Sequence, residues 1–251
     1  MKAIILAAGK GERLKSIVSQ IPKPMIKFKG KPVLQHNIEL CKNYGIEEIF
    51  INLHHLPNVI ADYFGNGEKY GVKIHYSYED VLLGTAGAVK RIATDYLLDK
   101  SSSKSKATNN NLDPFFVIYG DQISGFDLLS LKEKYDDNNC LGVIAFHYRK
   151  DVQHSGVAEL GDDNRVIKFI EKPKSRDVNS HWVNAGVYFL NPDILKFIPI
   201  DNCDFGKDVF PYLLSKNYPL YGVCKMKNVF VFDTPEMYSN TFRKYLNAAK
   251  E

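Results

Sequence analysis

Cysteine is sparse and scattered in this sequence. The four, Cys41, Cys140, Cys203 and Cys224, form no CxxC pair. That excludes a zinc ribbon, a thioredoxin-like redox motif and a disulfide-stapled scaffold, and it fits a cytoplasmic protein kept in a reducing compartment. An excess of charge of one sign is equally lacking: 33 basic residues stand against 29 acidic ones, for a net charge of +4, and no arginine tract gathers them. Such a chain does not neutralise a run of phosphates, so no nucleic-acid partner is expected. No apolar run is long enough to span a bilayer, and no membrane partner is expected. The stretch AIILAA after Lys2 is too short for a signal peptide, and charge resumes at Lys10 without a small-residue cleavage context. His54 and His55 are adjacent, but no second cluster completes a metal site with them, so they read as loop or core histidines.

What the chain does hold is a core-forming share of apolar residues, 45% of 251. This suffices for one large domain, and no linker divides it. Strand-like runs alternate with helical patterns: AIILAA, a helix near 35–43, EIFINL, a helix near 57–64, VKIHYSY, a helix near 86–98, then FFVIYGD. That βαβα rhythm predicts an α/β protein with a Rossmann-like, mostly parallel sheet and helices on both faces. After Tyr135 the pattern changes to LGVIAFHY, GVAELG, VIKFIEKP and WVNAGVYFL, separated by turn residues such as Asp162, Asp163 and Asn164. These runs predict an added mixed β region. Phe169, Trp182, Tyr188 and Phe189 fall at strand spacing and read as core. A last helix starts at Pro235. The segment DKSSSKSKATNNNLD (99–113) offers almost nothing to a core and reads as a flexible surface loop, either a plain insertion or a lid.

The first strand runs into AAGKGER. Gly9 and Gly11 let the backbone turn tightly and leave N–H groups uncovered, which makes room for an anion. Two phosphate-binding designs fail on named residues. A P-loop needs GxxxxGK followed by Ser or Thr, which is absent. A dinucleotide fold needs a third glycine where Leu14 stands, and an acid after the second strand, where EIFINLHH has none. What remains is GxGxR, with Arg13 inside the turn and Lys23 delivered by the rigid PKP unit. An arginine fork fixes oxygens in set directions and a lysine follows shifting charge, so together with Mg²⁺ they could hold a triphosphate. The alternative is a tight turn with solvated charges. Farther on, FFVIYGD puts Asp121 just past a strand, where open α/β sheets place ligands. A carboxylate there suits magnesium, which takes one or two protein carboxylates plus phosphate oxygens; the alternative is an ordinary turn or helix cap.

LAAGKGERL with PKPM, followed in order by LGTAGA, YGD, EKP and NAG, resembles the signature of the sugar-1-phosphate nucleotidylyltransferases, of the mannose-1-phosphate or heptose-1-phosphate guanylyltransferase kind. Each string is weak alone; five in order, across nearly the whole chain, are specific. The resemblance implies a nucleotide-diphospho-sugar transferase-like fold, and an enzyme that joins a nucleoside triphosphate to a sugar 1-phosphate with loss of pyrophosphate. It implies Arg13 and Lys23 as catalytic residues. It puts Leu6, Ala7, Ala8, Gly9, Lys10 and Gly11 on the nucleotide, with Glu79, Gly84 and Thr85 toward the base. Gly120, Glu171, Lys172, Asn184 and Gly186 fall to the sugar phosphate, and Asp121 to the metal. The family supplies a second metal-holding acid from a segment reading like DIGTPE, where this chain has VFDTPE. Either Asp233 serves on a shortened backbone, or Val231 stands in the acid's place, or Asp233 only caps the helix at Pro235.

A glutamate at position 79 accepts hydrogen bonds only. Guanine offers neighbouring N1–H and N2–H donors, whereas uracil and thymine offer a single N3–H. GTP is therefore favoured, with UTP, CTP or dTTP as alternatives. The irregular VFDTPE also suggests a nucleotide-sugar-binding regulatory subunit without turnover. The absence of an evident catalytic His or Cys fits the transfer reading, because a phosphate monoester is already an anion near neutral pH. A homo-oligomer is compatible with all of these.

Overall fold

The computed structural model describes residues 1–14, 21–97, 112–174, 178–199, 201–226 and 229–248, the last five by their backbone alone. The loop expected at 99–113 lies outside the described residues except for Leu112 and Asp113. In chain order the regular elements are β1 (Lys2–Leu6), β2 (Lys27–Phe28), β3 (Lys31–Pro32), α1 (Val33–Asn43), β4 (Glu48–Leu53), α2 (Pro57–Phe64), β5 (Lys73–Tyr78) and α3 (Gly84–Ile92). They continue with β6 (Phe115–Tyr119), β7 (Gln122–Ile123), α4 (Leu128–Asp136), β8 (Gly142–Tyr148), β9 (Gly156–Leu160), β10 (Val166–Glu171), β11 (Trp182–Leu190), α5 (Phe210–Ser215), β12 (Leu220–Lys225), β13 (Phe230–Val231) and α6 (Pro235–Ala248).

Nine strands form one sheet in the order β10-β9-β11-β6-β1-β4-β5, with β8 paired to β11 and β12. The half made of β6, β1, β4 and β5 is parallel; Ile4, for example, lies opposite Phe50 on one side and Val117 on the other. β11 then joins β6 antiparallel and carries the mixed region. The expected α/β architecture with an added mixed β region is what the chain adopts.

Apolar alternation along the strands builds a core on each face. Ile4 and Leu6 join Phe50, Val117, α3 residues such as Val89 and Ile92, and the α5 residues Phe210 and Leu213. Ala3 and Ile5 join Ile49 and Ile51 beneath Leu34 and Ile38 of α1, Ile60 and Phe64 of α2, and Leu128 and Leu131 of α4. Both faces are therefore covered, and central strands buried on both sides read as continuous apolar runs. A third, smaller core joins Leu14, Ile26, Phe28 and Val33 to Phe232, with Phe230 and Phe242 packed against it. The Phe28 ring lies 5.0 Å from Phe230 and 5.7 Å from Phe232. This core ties the loop after β1, the β2–β3 hairpin and the segment before α6 into one unit.

Two helices differ from their sequence-based limits. α1 starts at Val33, directly after Pro32. α3 starts at Gly84, where the Cys203 carbonyl accepts the N–H groups of Ala86 (2.8 Å) and Gly87 (3.0 Å) and so satisfies first-turn donors from a distant segment. It closes at Ile92 and continues as a wider turn over Ala93–Leu97. No helix among the described residues is long and apolar enough to cross a membrane.

Candidate active site

Because β1, β4, β5 and β6 are parallel, their C-terminal ends share one edge, and a cleft of ≈ 740 Å³ opens there. Leu6, Ala7, Ala8, Gly9, Lys10, Gly11, Arg13, Lys23, Glu79, Gly84, Thr85, Asp121, Lys172 and Asp233 all line it. Gly120, Glu171, Asn184 and Gly186 are not among its lining residues.

The side of the cleft that follows β1 is built from short turns. Gly11 has φ +61°, and a Cβ there would stand 3.3 Å from that of Lys23, so the turn needs glycine. The Leu14 N–H donates to the Gly11 carbonyl at 2.9 Å, closing the turn that carries Arg13. Pro22 and Pro24 frame the next tight turn, closed by Met25 N–H to Pro22 O at 2.8 Å, and this turn directs Lys23 inward. Only 7% of Lys23 is exposed. Its Nζ donates to Asp121 Oδ2 at 2.5 Å and to Asp233 Oδ1, while Arg13 Nη2 lies 3.9 Å from Asp233 Oδ2. Burial works against the Lys23 ammonium, but the two carboxylates outweigh it and hold the group above its ordinary range. Burial likewise opposes the Asp233 carboxylate; Lys23, Arg13 and Arg149 outweigh it and hold Asp233 below the usual range.

Of the alternatives for VFDTPE, the carboxylate that reaches the cleft is that of Asp233. Val231 pairs with Gln122 of β7 and lines a separate cavity. Capping of α6 falls to Thr234, whose Oγ1 accepts the Met237 N–H at 3.2 Å. Asp233 is thus free of that duty. A single ammonium bridges Asp121 and Asp233, so the two converge closely enough to share one cation, and both are hard oxygen donors of the kind magnesium takes. No group of three or more His, Cys, Asp or Glu side chains suited to a metal occurs among the described residues. Magnesium needs only one or two protein carboxylates, so Asp121 and Asp233 would suffice to hold it.

Beyond the end of β5, Glu79 is buried, with Oε1 accepting from Asn52 Nδ2 at 2.7 Å and Oε2 from the Leu83 N–H at 3.0 Å. Gly84 has φ +73°, and a Cβ there would meet the Cys203 carbonyl oxygen at 2.5 Å. The glycine is demanded by that close approach. Asp204 Oδ1 accepts both the N–H and the hydroxyl of Thr85 at 3.0 Å. His54 is a loop histidine, its Nδ1 2.8 Å from the Glu79 carbonyl.

On the opposite wall, Lys172 adopts φ +51°, unusual for a residue with a side chain, and its N–H donates to Ser155 O at 3.1 Å. Its ammonium lies 3.9 Å from Glu171 Oε1. Burial raises the Glu171 carboxyl above its ordinary range, with Lys172 pulling the other way. Asn184 and Gly186 sit in a register break of β11: Asn184 Oδ1 accepts the Gly186 N–H at 2.9 Å, and its Nδ2 donates to Tyr188 Oη at 2.7 Å. Gly120 bonds Leu6 O at 2.8 Å and seals β6 against β1.

Sequence reasoning missed Asn52, Tyr119, Asn202, Asp204 and Lys207, which also line the cleft. Asn52 carried a signal, a polar residue inside the apolar run EIFINL; Asp204 and Lys207 come from a segment without a motif.

The nucleotidyl transferase family matches residues 2–234. The chain is 32% identical over 240 residues to the UTP–glucose-1-phosphate uridylyltransferase of Synechocystis sp., covering 89% of this chain and 58% of that protein. It is 32% identical over 253 residues to mannose-1-phosphate guanylyltransferase 1 of Arabidopsis thaliana, covering 100% and 66%. The chain thus spans only part of the length of these relatives. Among solved structures, HddC from Yersinia pseudotuberculosis superposes with a TM-score of 0.76 at 25% identity, over 97% of this chain and 99% of that one. A UDP-glucose pyrophosphorylase solved with UDP-glucose gives 0.78 at 21% identity, over 98% of each, a likeness of fold. With residues 2–234 matched, this chain belongs to the nucleotidyl transferase family.

Proposed function

We propose that the chain transfers a nucleotidyl group from a nucleoside triphosphate, GTP by preference, to a sugar 1-phosphate, releasing pyrophosphate. The observation that carries this reading is the buried Lys23 between Asp121 and Asp233, in the same cleft as Lys10, Arg13 and Lys172. A non-bridging oxygen of the sugar phosphate forms a bond to the α-phosphorus, and the bond from that phosphorus to the β-bridging oxygen breaks. The electron pair leaves with pyrophosphate. Like unit charges about 4 Å apart repel by roughly 4 kcal/mol at an effective dielectric of about 20, and each partner here carries more than one. Arg13 and Lys23 offset that repulsion on the triphosphate side, and Lys172 on the attacking phosphate. When bound at Asp121 and Asp233, magnesium supplies further positive charge to the phosphates. The protein otherwise aligns the two substrates, and no side chain is required to take a proton from the nucleophile.

GTP is preferred because Glu79 presents acceptors only. Guanylyltransferases recur among the relatives, and HddC was solved with GMP-PN. UTP is the second reading, favoured by the Synechocystis relative. A cytoplasmic setting is supported by four free cysteines, of which burial pushes the Cys41 thiol up to about 12. Screening mannose, glucose and heptose 1-phosphates against the four triphosphates with magnesium, by pyrophosphate release, tests the proposal. Release with none of the combinations, from protein that binds nucleotide sugar, would instead support a regulatory subunit.

A further inference from the structure

Asn52 stands at the C-terminal end of β4, 4% exposed, with a buried neighbour on each side of its amide. Its Oδ1 accepts the N–H of Ala7, the first residue past β1, at 2.8 Å. A backbone N–H can only donate, so the amide orientation is forced and Nδ2 faces Glu79 Oε1 at 2.7 Å. Glu79 Oε2 takes the Leu83 N–H at 3.0 Å, one residue before the Gly84 turn. The Glu79 backbone is held as well, by its own N–H to Leu53 O at 2.8 Å. A continuous line of hydrogen bonds therefore runs from the phosphate loop, through Asn52 and Glu79, to the start of α3. Each Glu79 oxygen spends one acceptor direction on this line and keeps another.

We propose that Asn52 is a positioning residue for nucleobase selection: its amide fixes the Glu79 carboxylate as a paired acceptor toward the base and locks that acceptor in register with the phosphate loop. This rests on the reading of Glu79 as the group that meets the base. Asn52 does not touch the base; it acts through Glu79. Without the Nδ2 donor, the carboxylate can rotate about its terminal bond, and two acceptors no longer face two neighbouring donors.

The test is equilibrium binding of GTP, ITP, UTP, CTP and dTTP by calorimetry with magnesium, so no turnover is required. ITP lacks the N2–H donor of guanine. Wild type should prefer GTP over ITP roughly 10- to 100-fold, the value of one hydrogen bond to a charged acceptor. Asn52→Leu, close in size, removes the donor to Glu79 together with the Ala7 acceptor, and should bring the ratio to within about twofold of unity. Asn52→Asp with Glu79→Gln restores a donor–acceptor pair between the two positions; it should melt above Asn52→Leu without regaining the ratio. A ratio in Asn52→Leu equal to that of wild type, with all triphosphates weakened alike, would reduce Asn52 to a structural support and overturn the proposal. If wild type prefers a pyrimidine, the guanine reading fails, and the relay is upheld or overturned by whether Asn52→Leu flattens that preference. A wild type that binds none of the five overturns both.

Discussion

Replacing Lys23 by alanine perturbs the cleft at its centre. Lys23 is 7% exposed and its ammonium bridges two carboxylates, one of them on a segment more than two hundred residues away. Removing one partner of a buried ion pair costs about 3–5 kcal/mol, because a charge is left in the interior without compensation. The Asp121 side chain is 34% exposed, so water recovers part of its share, and the low end, about 3 kcal/mol, is expected. In a chain of this size each kcal/mol moves the melting temperature by roughly 2–4 °C, which puts Lys23→Ala roughly 6–12 °C below wild type. Asp233→Asn removes the charge left behind, so the double variant should be less destabilised than the sum of the two, by at least about 1 kcal/mol. Magnesium should raise the melting temperature of Lys23→Ala more than that of wild type, since a cation held by the same acids replaces the missing charge. Thermal unfolding followed by circular dichroism on the four proteins, with and without magnesium, measures all of this. A single variant melting within about 2 °C of wild type, or strict additivity, would refute the view of Lys23 as the counter-ion of the acidic pair.

The other predictions address substrate charge, pH and the small third core. Arg13→Ala should lower turnover roughly 10- to 100-fold, the loss of one charge-assisted contact to phosphate, whereas Lys172→Ala should act mainly on the KM for sugar phosphate; steady-state pyrophosphate release separates them. His147 is buried at the end of β8, and burial together with Arg149 lowers it from 6.5 to about 4. The unfolded chain therefore binds the proton first: the stabilisation is complete above pH 6.5 and is lost as pH falls toward about 4. At 1.36 kcal/mol per pH unit this amounts to about 3 kcal/mol, and His147→Phe should flatten that stretch of a urea-denaturation pH series. Phe232 is fully buried beside Phe28, and Phe232→Ala should cost about 3–5 kcal/mol in urea unfolding.

The parallel half of the fold was legible because its strands are buried on both faces and write themselves as apolar runs separated by helical periods. α4, α5 and β12 were less so: short elements such as FPYLLS and LYGVCK carry too few repeats of either period to be distinguished from the mixed region around them. The site divides the same way. Motifs whose chemistry is carried by local backbone, the turn around Gly11 and the turn at Gly84, pointed to the cleft directly. Even there, the reason for Gly84 is a carbonyl at Cys203, far along the chain, which no local pattern contains. Asp233 shows the limit most plainly. Its register against the expected acid could not be decided from VFDTPE, because what decides it is a tertiary anchor. Phe232 enters the core formed by Leu14, Ile26, Phe28 and Val33, and β13 pairs with β7 next to Asp121. Both constraints come from elements that precede it by more than a hundred residues. Together they bring the next side chain to Lys23, so the position of the second acid is set by aromatic packing and strand pairing, and by nothing in the spacing of its own motif.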